Sequence, residues 1–501
     1  MEPSQFNPAA ISSTAVACLN CREKHLKCDG NMSGCGRCRT LNLSCYFVPS
    51  RRGRKCRPGP IPSDSLLPVE SLGAVDTDCG MVSKHLVGVY YLHFHQAHPF
   101  LAPHDVFLQS APPVYLVSLV EYIGLHYLIS EVPDRTVSLR ANVDEADLGM
   151  VKVQALLLLS IILHARLHPI EARICMAQAI QCSLELGLHC RGFSDALETH
   201  DPVQAESARR TWWEIFILDT LLAAVQVEGS LQFTLDIPDV PLPCESEDYT
   251  GSFSGGGLTT ISDLDRQALL HDDADLSSSA YRVEAAVILR RCLLAGTSHT
   301  SQESMDVLDA TITSWLHRVQ SRCYNRPLLQ LTGELEQMTF QAMMIMHCAA
   351  IYLNFPRSSL LAFLPITGRI FCASPPSFSS ITLNPQVHTS KVVAAATGLS
   401  KLASLSPSVV GHTPFFVCTL VLSSVIQLAV LSIEVPQTTS AVRPYLGLNI
   451  GTLKAMEKLW AIAAVSIERI RSVTKEVEDV LTGGCFANLI EDETALLDCM
   501  T

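Results

Sequence analysis

Six cysteines near the N-terminus constrain this chain more than any other feature. Cys18, Cys21, Cys28, Cys35, Cys38 and Cys45 read C-x2-C-x6-C-x6-C-x2-C-x6-C, and the second three repeat the first three at an offset of 17 residues. Six thiolates are too many for one tetrahedral ion. Two such ions need about eight ligand positions, which six sulfurs fill if two of them bridge. The count predicts a two-metal thiolate cluster, and zinc is the usual occupant of an all-sulfur tetrahedral site. The repeat places Cys18 and Cys35 in equivalent positions, so symmetry makes them the expected bridging pair.

A disulfide framework fits less well. Met1 to Ala17 is polar, carries Pro3 and Pro8, and has no secretory pattern. The other thirteen of the nineteen cysteines are scattered singly from Cys56 to Cys499, as expected of free thiols in a reducing compartment. Iron–sulfur clusters usually take four cysteines each, which two matched triplets do not offer.

The spacing and the stretch ACLNCREKHLKC resemble the fungal zinc binuclear-cluster (Zn2Cys6) transcription factors. The resemblance implies two short helix-plus-strand halves around two Zn2+ ions per chain. It also implies a helix after the first cysteine pair that enters the major groove, typically at a CGG triplet. The sequence departs from the family at two places. His25 stands where the base-reading lysine usually falls, leaving Lys24 as the alternative reader. The loop Asp29–Gly34, DGNMSG, lacks the family's proline.

Charge supports the same reading independently. Between Cys21 and Cys28 lie Arg22, Lys24, His25 and Lys27, whereas the equivalent stretch of the second half, RTLNLS, has one basic residue. The first half is therefore expected to meet phosphates and base edges, with the second half (Leu41, Leu43, Tyr46 and Phe47) backing it. Residues 1–60 hold ten Lys/Arg against three Asp/Glu, a formal +7 in a chain of net charge −13. A basic head on an acidic body suits a polyanion-binding module. Arg51, Arg52, Arg54 and Lys55 follow the cluster and read as backbone contacts or a nuclear-import signal.

The chain is expected to divide as follows: a disordered N-terminus at 1–14, the Zn2Cys6 domain at 15–47, and a flexible basic, Pro-rich linker at 48–84. A large all-α regulatory domain at 85–485 and an acidic tail at 486–501 complete it. Pro58, Pro60, Pro62 and Pro68 interrupt the linker, and no coiled coil is evident there, so a homodimer stays open without a segment to build it. In the body, Asp201-Pro202 followed by Gln204 predicts a helix start, and the run through Trp212 predicts an interior helix. A second helix is expected over about 170–186, stopped by Gly187. The stretch 244–279, rich in Ser, Gly and Asp, is expected to be a mobile insertion. Residues 91–101, 179–189, 209–219 and 236–243 resemble segments of the family's helical regulatory region.

Other candidate sites weaken on inspection. His93, His95, His98 and His104 lack an acidic partner at ligand spacing and read as structural. The apolar run 415–433 reaches membrane-spanning length, but Thr419, Ser423, Ser424 and Gln427 interrupt it, favouring a core helix over a membrane span. No G-x-S-x-G nucleophile signature or phosphate loop occurs, so no enzyme is expected.

The expectation is a nuclear, sequence-specific DNA-binding regulator of RNA polymerase II genes. It would read CGG-type elements in double-stranded DNA, work with co-regulator proteins, and make no use of a membrane. Control of a biosynthetic gene cluster is what the resemblance alone implies. The alternative is a zinc-dependent protein-interaction module that does not read DNA sequence.

Overall fold

The computed structural model describes residues 21, 24, 26–29, 35–41, 76–225, 230–232, 239–245, 249, 259–270, 276–297, 301–330, 333–363, 384–405, 408–432 and 436–481. The chain divides into two compact units, Met1–Ala74 and Val75–Thr501. In the first, the described helix is α1, Gly36–Thr40.

The second unit opens with α2 (Asp76–His93), α3 (His104–Gln109), α4 (Val114–Leu125) and α5 (Thr136–Asp144). It continues through α6 (Met150–Ala165), α7 (Pro169–Leu186), α8 (Arg191–Glu198) and α9 (Pro202–Val225). Then come α10 (Ile261–Leu270), α11 (Ser278–Thr297), α12 (Gln302–Asn325) and α13 (Gln337–Asn354). Last are α14 (Pro385–Ala403), α15 (Phe415–Leu431), α16 (Pro436–Met456) and α17 (Ala461–Leu481). No strand occurs among the described residues; a single antiparallel bridge pairs Leu329 with Leu335. The body is all-α, as expected.

α9 is its axis. The Asp201 carboxylate accepts the Gln204 N–H at 3.0 Å, and Pro202 supplies a first helical residue that needs no donor. Every residue from Ala205 to Val225 is buried. Trp213 donates its indole N–H to the Pro241 carbonyl at 2.9 Å, tying the Asp239–Pro243 segment to the helix. α7 ends as expected at Gly187, whose φ of 77° is the left-handed conformation glycine adopts without a Cβ penalty.

α15 lies wholly inside the body. Its hydroxyls find partners there. Ser424 and Thr419 bond carbonyls of their own helix, and Ser423 reaches the Ala396 carbonyl of α14 at 2.8 Å. Asn449 of α16 donates to both Ser423 and Ser424 at 3.1 Å. These polar residues thus join three helices, so the run serves as core. Among the described residues one segment, Gln337–Arg357, is long and apolar enough to cross a membrane, and 89% of its most apolar window is buried inside the body.

Three expectations need adjustment. α2 starts at Asp76, inside the stretch 48–84 read as linker, and its exposed Val82, Lys84 and His85 precede the buried Val87. The stretch at about 244–279, expected to be a mobile insertion, contains α10 and the start of α11, and Tyr249, Ile261, Leu264 and Leu276 are buried. Those four apolar residues anchor the described parts of the stretch. Leu41, expected to back the first half of the cluster, is 55% exposed.

Candidate metal centre

The cysteine head places its described thiols together. The sulfurs of Cys21, Cys35 and Cys38 lie within 4.8 Å of one another, and all three residues are buried. The Cys21 and Cys35 sulfurs are 3.9 Å apart. Four sulfurs at about 2.3 Å from a central zinc sit roughly 3.8 Å from each other, so this pair has the separation of a tetrahedral edge. A second group joins Cys28, Asp29 and Cys35 within the same limit. Cys35 is common to both. Soft thiolates, mutual separation and burial all fit zinc, and these residues are the ones that would hold it.

Local structure explains the arrangement. The Cys35 sulfur accepts the Cys38 N–H at 3.4 Å and caps α1, so one residue serves helix and cluster together. The Asp29 carboxylate accepts the Gly36 N–H at 2.7 Å. This bond spans the DGNMSG loop and ties the cysteine-rich halves where the sequence offers no proline. Sequence reasoning missed Asp29; its signal was an acidic residue directly after the third cysteine of an otherwise basic head.

Lys24 and Lys27 are exposed. Arg37 and Arg39 on α1 are exposed too, which adds positive charge on the half expected to be the less basic. Cys18, Cys45, Arg22, His25, Arg51, Arg52, Arg54 and Lys55 lie outside the described residues.

The body carries a different cluster that the sequence did not announce. The charged residues of α9 are buried and paired. Glu206 holds Arg209 at 2.9 Å, Arg210 at 2.7 Å and the Cys244 N–H at 3.0 Å. Glu214 meets Arg282 of α11 at 2.5 Å and the Nδ1 of His98 at 2.6 Å. Asp219 meets Arg290 of α11 at 3.0 Å. Burial alone would push the Glu214 carboxyl up, but Arg282 and His98 outweigh it and hold the pKa down at about 2. Burial lowers the His98 pKa, Glu214 opposes that and Arg282 adds to it; a neutral ring would donate from Nδ1 to Glu214 and accept from Thr413 at 2.9 Å. These are structural ion pairs. Among the described residues, the groups able to hold a metal are the two that share Cys35.

Comparison with known proteins agrees with both units. Residues 16–55 match the fungal Zn(2)-Cys(6) binuclear cluster domain, and residues 87–322 match the fungal specific transcription factor domain. The C6 finger domain transcription factor iacK of Pestalotiopsis fici is 26% identical over 562 residues, an alignment covering 95% of this chain and 82% of that protein. No solved structure matches the chain. A thiol cluster of zinc-binding chemistry ahead of an all-α body, each matching its own domain family, places the chain in the fungal zinc binuclear-cluster transcription factors.

Proposed function

We propose that the chain is a nuclear, sequence-specific regulator that reads CGG-type duplex DNA through two zinc ions held by six thiolates. The observation that carries this reading is the position of Cys35 in both groups, with Cys21 and Cys38 in one and with Cys28 and Asp29 in the other. A sulfur shared between two groups is what a bridging ligand requires, and it makes Cys18 the second bridge by the sequence repeat. Cys21, Cys28, Cys38 and Cys45 complete the set. Zinc fixes the fold of the head, and Arg22, Lys24, His25 and Lys27 approach the duplex from it. Arg51, Arg52, Arg54 and Lys55 add backbone contacts. The domain limits given above, with a linker that separates head from body, belong to the same reading. Control of a biosynthetic gene cluster rests on family resemblance.

Selection of duplex oligonucleotides by the full-length, zinc-loaded protein tests the reading. The expected product is a CGG-containing site, competed by the same duplex and not by its scrambled form. With roughly 4–6 phosphate contacts, log K falls against log salt with a slope of about −4 to −5. Retention of zinc without any sequence preference would favour a zinc-dependent protein-interaction module.

A further inference from the structure

Exposed apolar side chains gather where α3 turns into α4. Leu108 of α3 is 42% exposed, and Val114, the first residue of α4, is 80% exposed. Ala111 and Pro113 of the turn between them are exposed as well. α4 packs on α5 and α6, and the turn joining those two helices carries Leu148, 49% exposed. Burial and the Asp147 carboxylate both push the Tyr115 pKa up, so that carboxylate faces the second residue of α4. Val114 and Leu148 therefore belong to one surface.

The turn itself is stiff. Ala111 has a φ of 46°, in the left-handed region that a residue with a Cβ rarely enters, and the rings of Pro112 and Pro113 fix the next two φ angles. The apolar corner is thus presented in one shape, and little ordering is left to oppose binding. Clustered apolar exposure with a polar rim marks a contact surface, where single exposed residues do not.

The rim is acidic. Asp105 lies one helical turn before Leu108, and its side chain is 88% exposed. Glu145 and Asp147 are exposed beside Leu148. The basic groups nearby are engaged. Lys152 donates to the carbonyls of Asp144 and Ala146 at 3.0 and 2.6 Å, at the end of α5, and Arg140 is held by Asp144 at 2.9 Å. His104 turns its Nδ1 to Asp105 at 3.3 Å. A second copy of this face, or an anionic membrane, would bring like charge against the rim. A cationic partner would not.

We infer that this corner docks an amphipathic segment of another protein. Its apolar side covers Leu108, Val114 and Leu148, and its lysines or arginines meet Asp105, Glu145 and Asp147. The surface belongs to the helical body and does not depend on the DNA-reading proposal.

The probe is a fluorescein-labelled Leu/Lys peptide of helical period, titrated against the full-length, zinc-loaded chain and followed by anisotropy. Saturable binding that weakens with salt is expected. The same peptide with glutamate for lysine, and a Lys/Ser peptide of equal charge without leucine, should both bind far more weakly. Val114→Lys combined with Leu148→Lys should weaken binding at least about tenfold, the value of one buried aliphatic side chain. Asp105→Lys combined with Asp147→Lys should weaken it too and flatten its salt dependence. Ile170→Lys is the control, at a 71% exposed residue beyond the far end of α6, and should bind as the wild type does. All five positions are exposed, so these variants should keep the wild-type urea midpoint. The proposal is overturned if the wild type shows no saturable binding, if either control peptide binds as well, or if Ile170→Lys loses as much as the paired variants. A wild-type dimer in sedimentation that Val114→Lys dissociates would overturn it in favour of a second copy.

Discussion

The Nδ1 of His98 lies 2.6 Å from the Glu214 carboxylate, a contact across 116 residues of sequence. Arg282 grips the same carboxylate from α11, and Thr413, just ahead of α15, bonds the far side of the His98 ring. One carboxylate therefore fixes the turn after α2 and the helices α9 and α11 relative to each other. Glu214→Ala leaves a buried guanidinium without its counter-charge. It should cost about 3–5 kcal/mol, read as a lower urea midpoint at pH 7. Adding Arg282→Met should recover part of the loss, because the orphaned charge is then gone. A double variant no more stable than Glu214→Ala would refute this assignment.

Acid should loosen the body in two stages. Burial holds His126, His164 and His412 at pKa values of about 4, against 6.5 for a free imidazole. The unfolded chain takes up these protons first, so stability falls as pH drops from about 6.5 towards 4. Glu214 acts lower. Its pKa is depressed from 4.5 to about 2, so its contribution is complete above 4.5 and is lost as pH falls towards 2. All four tryptophans of the chain, Trp212, Trp213, Trp315 and Trp460, are buried in the body. Thermal melts followed by tryptophan fluorescence at pH 7.5, 6.5, 5.5 and 4.5 should show a midpoint falling below pH 6.5. A flat profile down to pH 4.5 would exclude the histidines as the cause.

Gly124 of α4 faces α2 at backbone distance. A Cβ built there would come 2.3 Å from the Leu86 carbonyl oxygen. Backbone cannot swing aside as a flexible side chain can, so the two helices would have to separate. Gly124→Ala should destabilise the body by about 1–3 kcal/mol despite the better helix propensity of alanine. Gly88→Ala on α2, where a Cβ meets nothing within 4 Å, is the matched control and should be neutral or slightly stabilising. Equal urea midpoints for the two variants would contradict the crossing.

Legibility in the sequence followed physical range. The cysteine spacing carried the head, because metal ligation writes its geometry into short, fixed intervals. The cap at Asp201 and the stop at Gly187 were legible because helix ends are local. The partners of Glu214 were not. His98 and Arg282 lie far from it in the chain, and an unbroken apolar run hid the fact that its few charges are buried. Tyr249, Ile261 and Leu276 were missed because sparse apolar anchors in a polar stretch leave no periodic trace. Asp29 was passed over because its role depends on a loop closing back onto Gly36.

Cys35 should behave differently from the other cysteines of the head. As a bridge it would ligate both ions, whereas Cys21 and Cys38 share one group and Cys28 belongs to the other. Cys35→Ala should then drop bound zinc from two ions per chain to below one, while Cys28→Ala should retain about one. Zinc contributes roughly 10–16 kcal/mol to folding such modules, so the Cys35 variant should also lose duplex binding. The tryptophan melt of the body should not change, since the body is a separate unit. Metal analysis after gel filtration reads the stoichiometry. Equal zinc loss in the two variants would remove the distinction between bridging and terminal sulfur.

Lys24 and Lys27 are both exposed on the head but are expected to do different work. Lys24 stands nearest the position from which the family reads bases, so Lys24→Ala should relax preference at one base pair, at a cost of about 1–3 kcal/mol on the selected duplex. Lys27, beside Cys28 at the end of the basic stretch, is expected to meet phosphate. Lys27→Ala should weaken binding to selected and scrambled duplexes alike and make the salt slope shallower by about 1. Titrations of both variants on both duplexes at several salt concentrations separate the two effects. If Lys24→Ala weakened every sequence equally, base reading would pass to another residue of the stretch, and the histidine at position 25 would become the next to substitute.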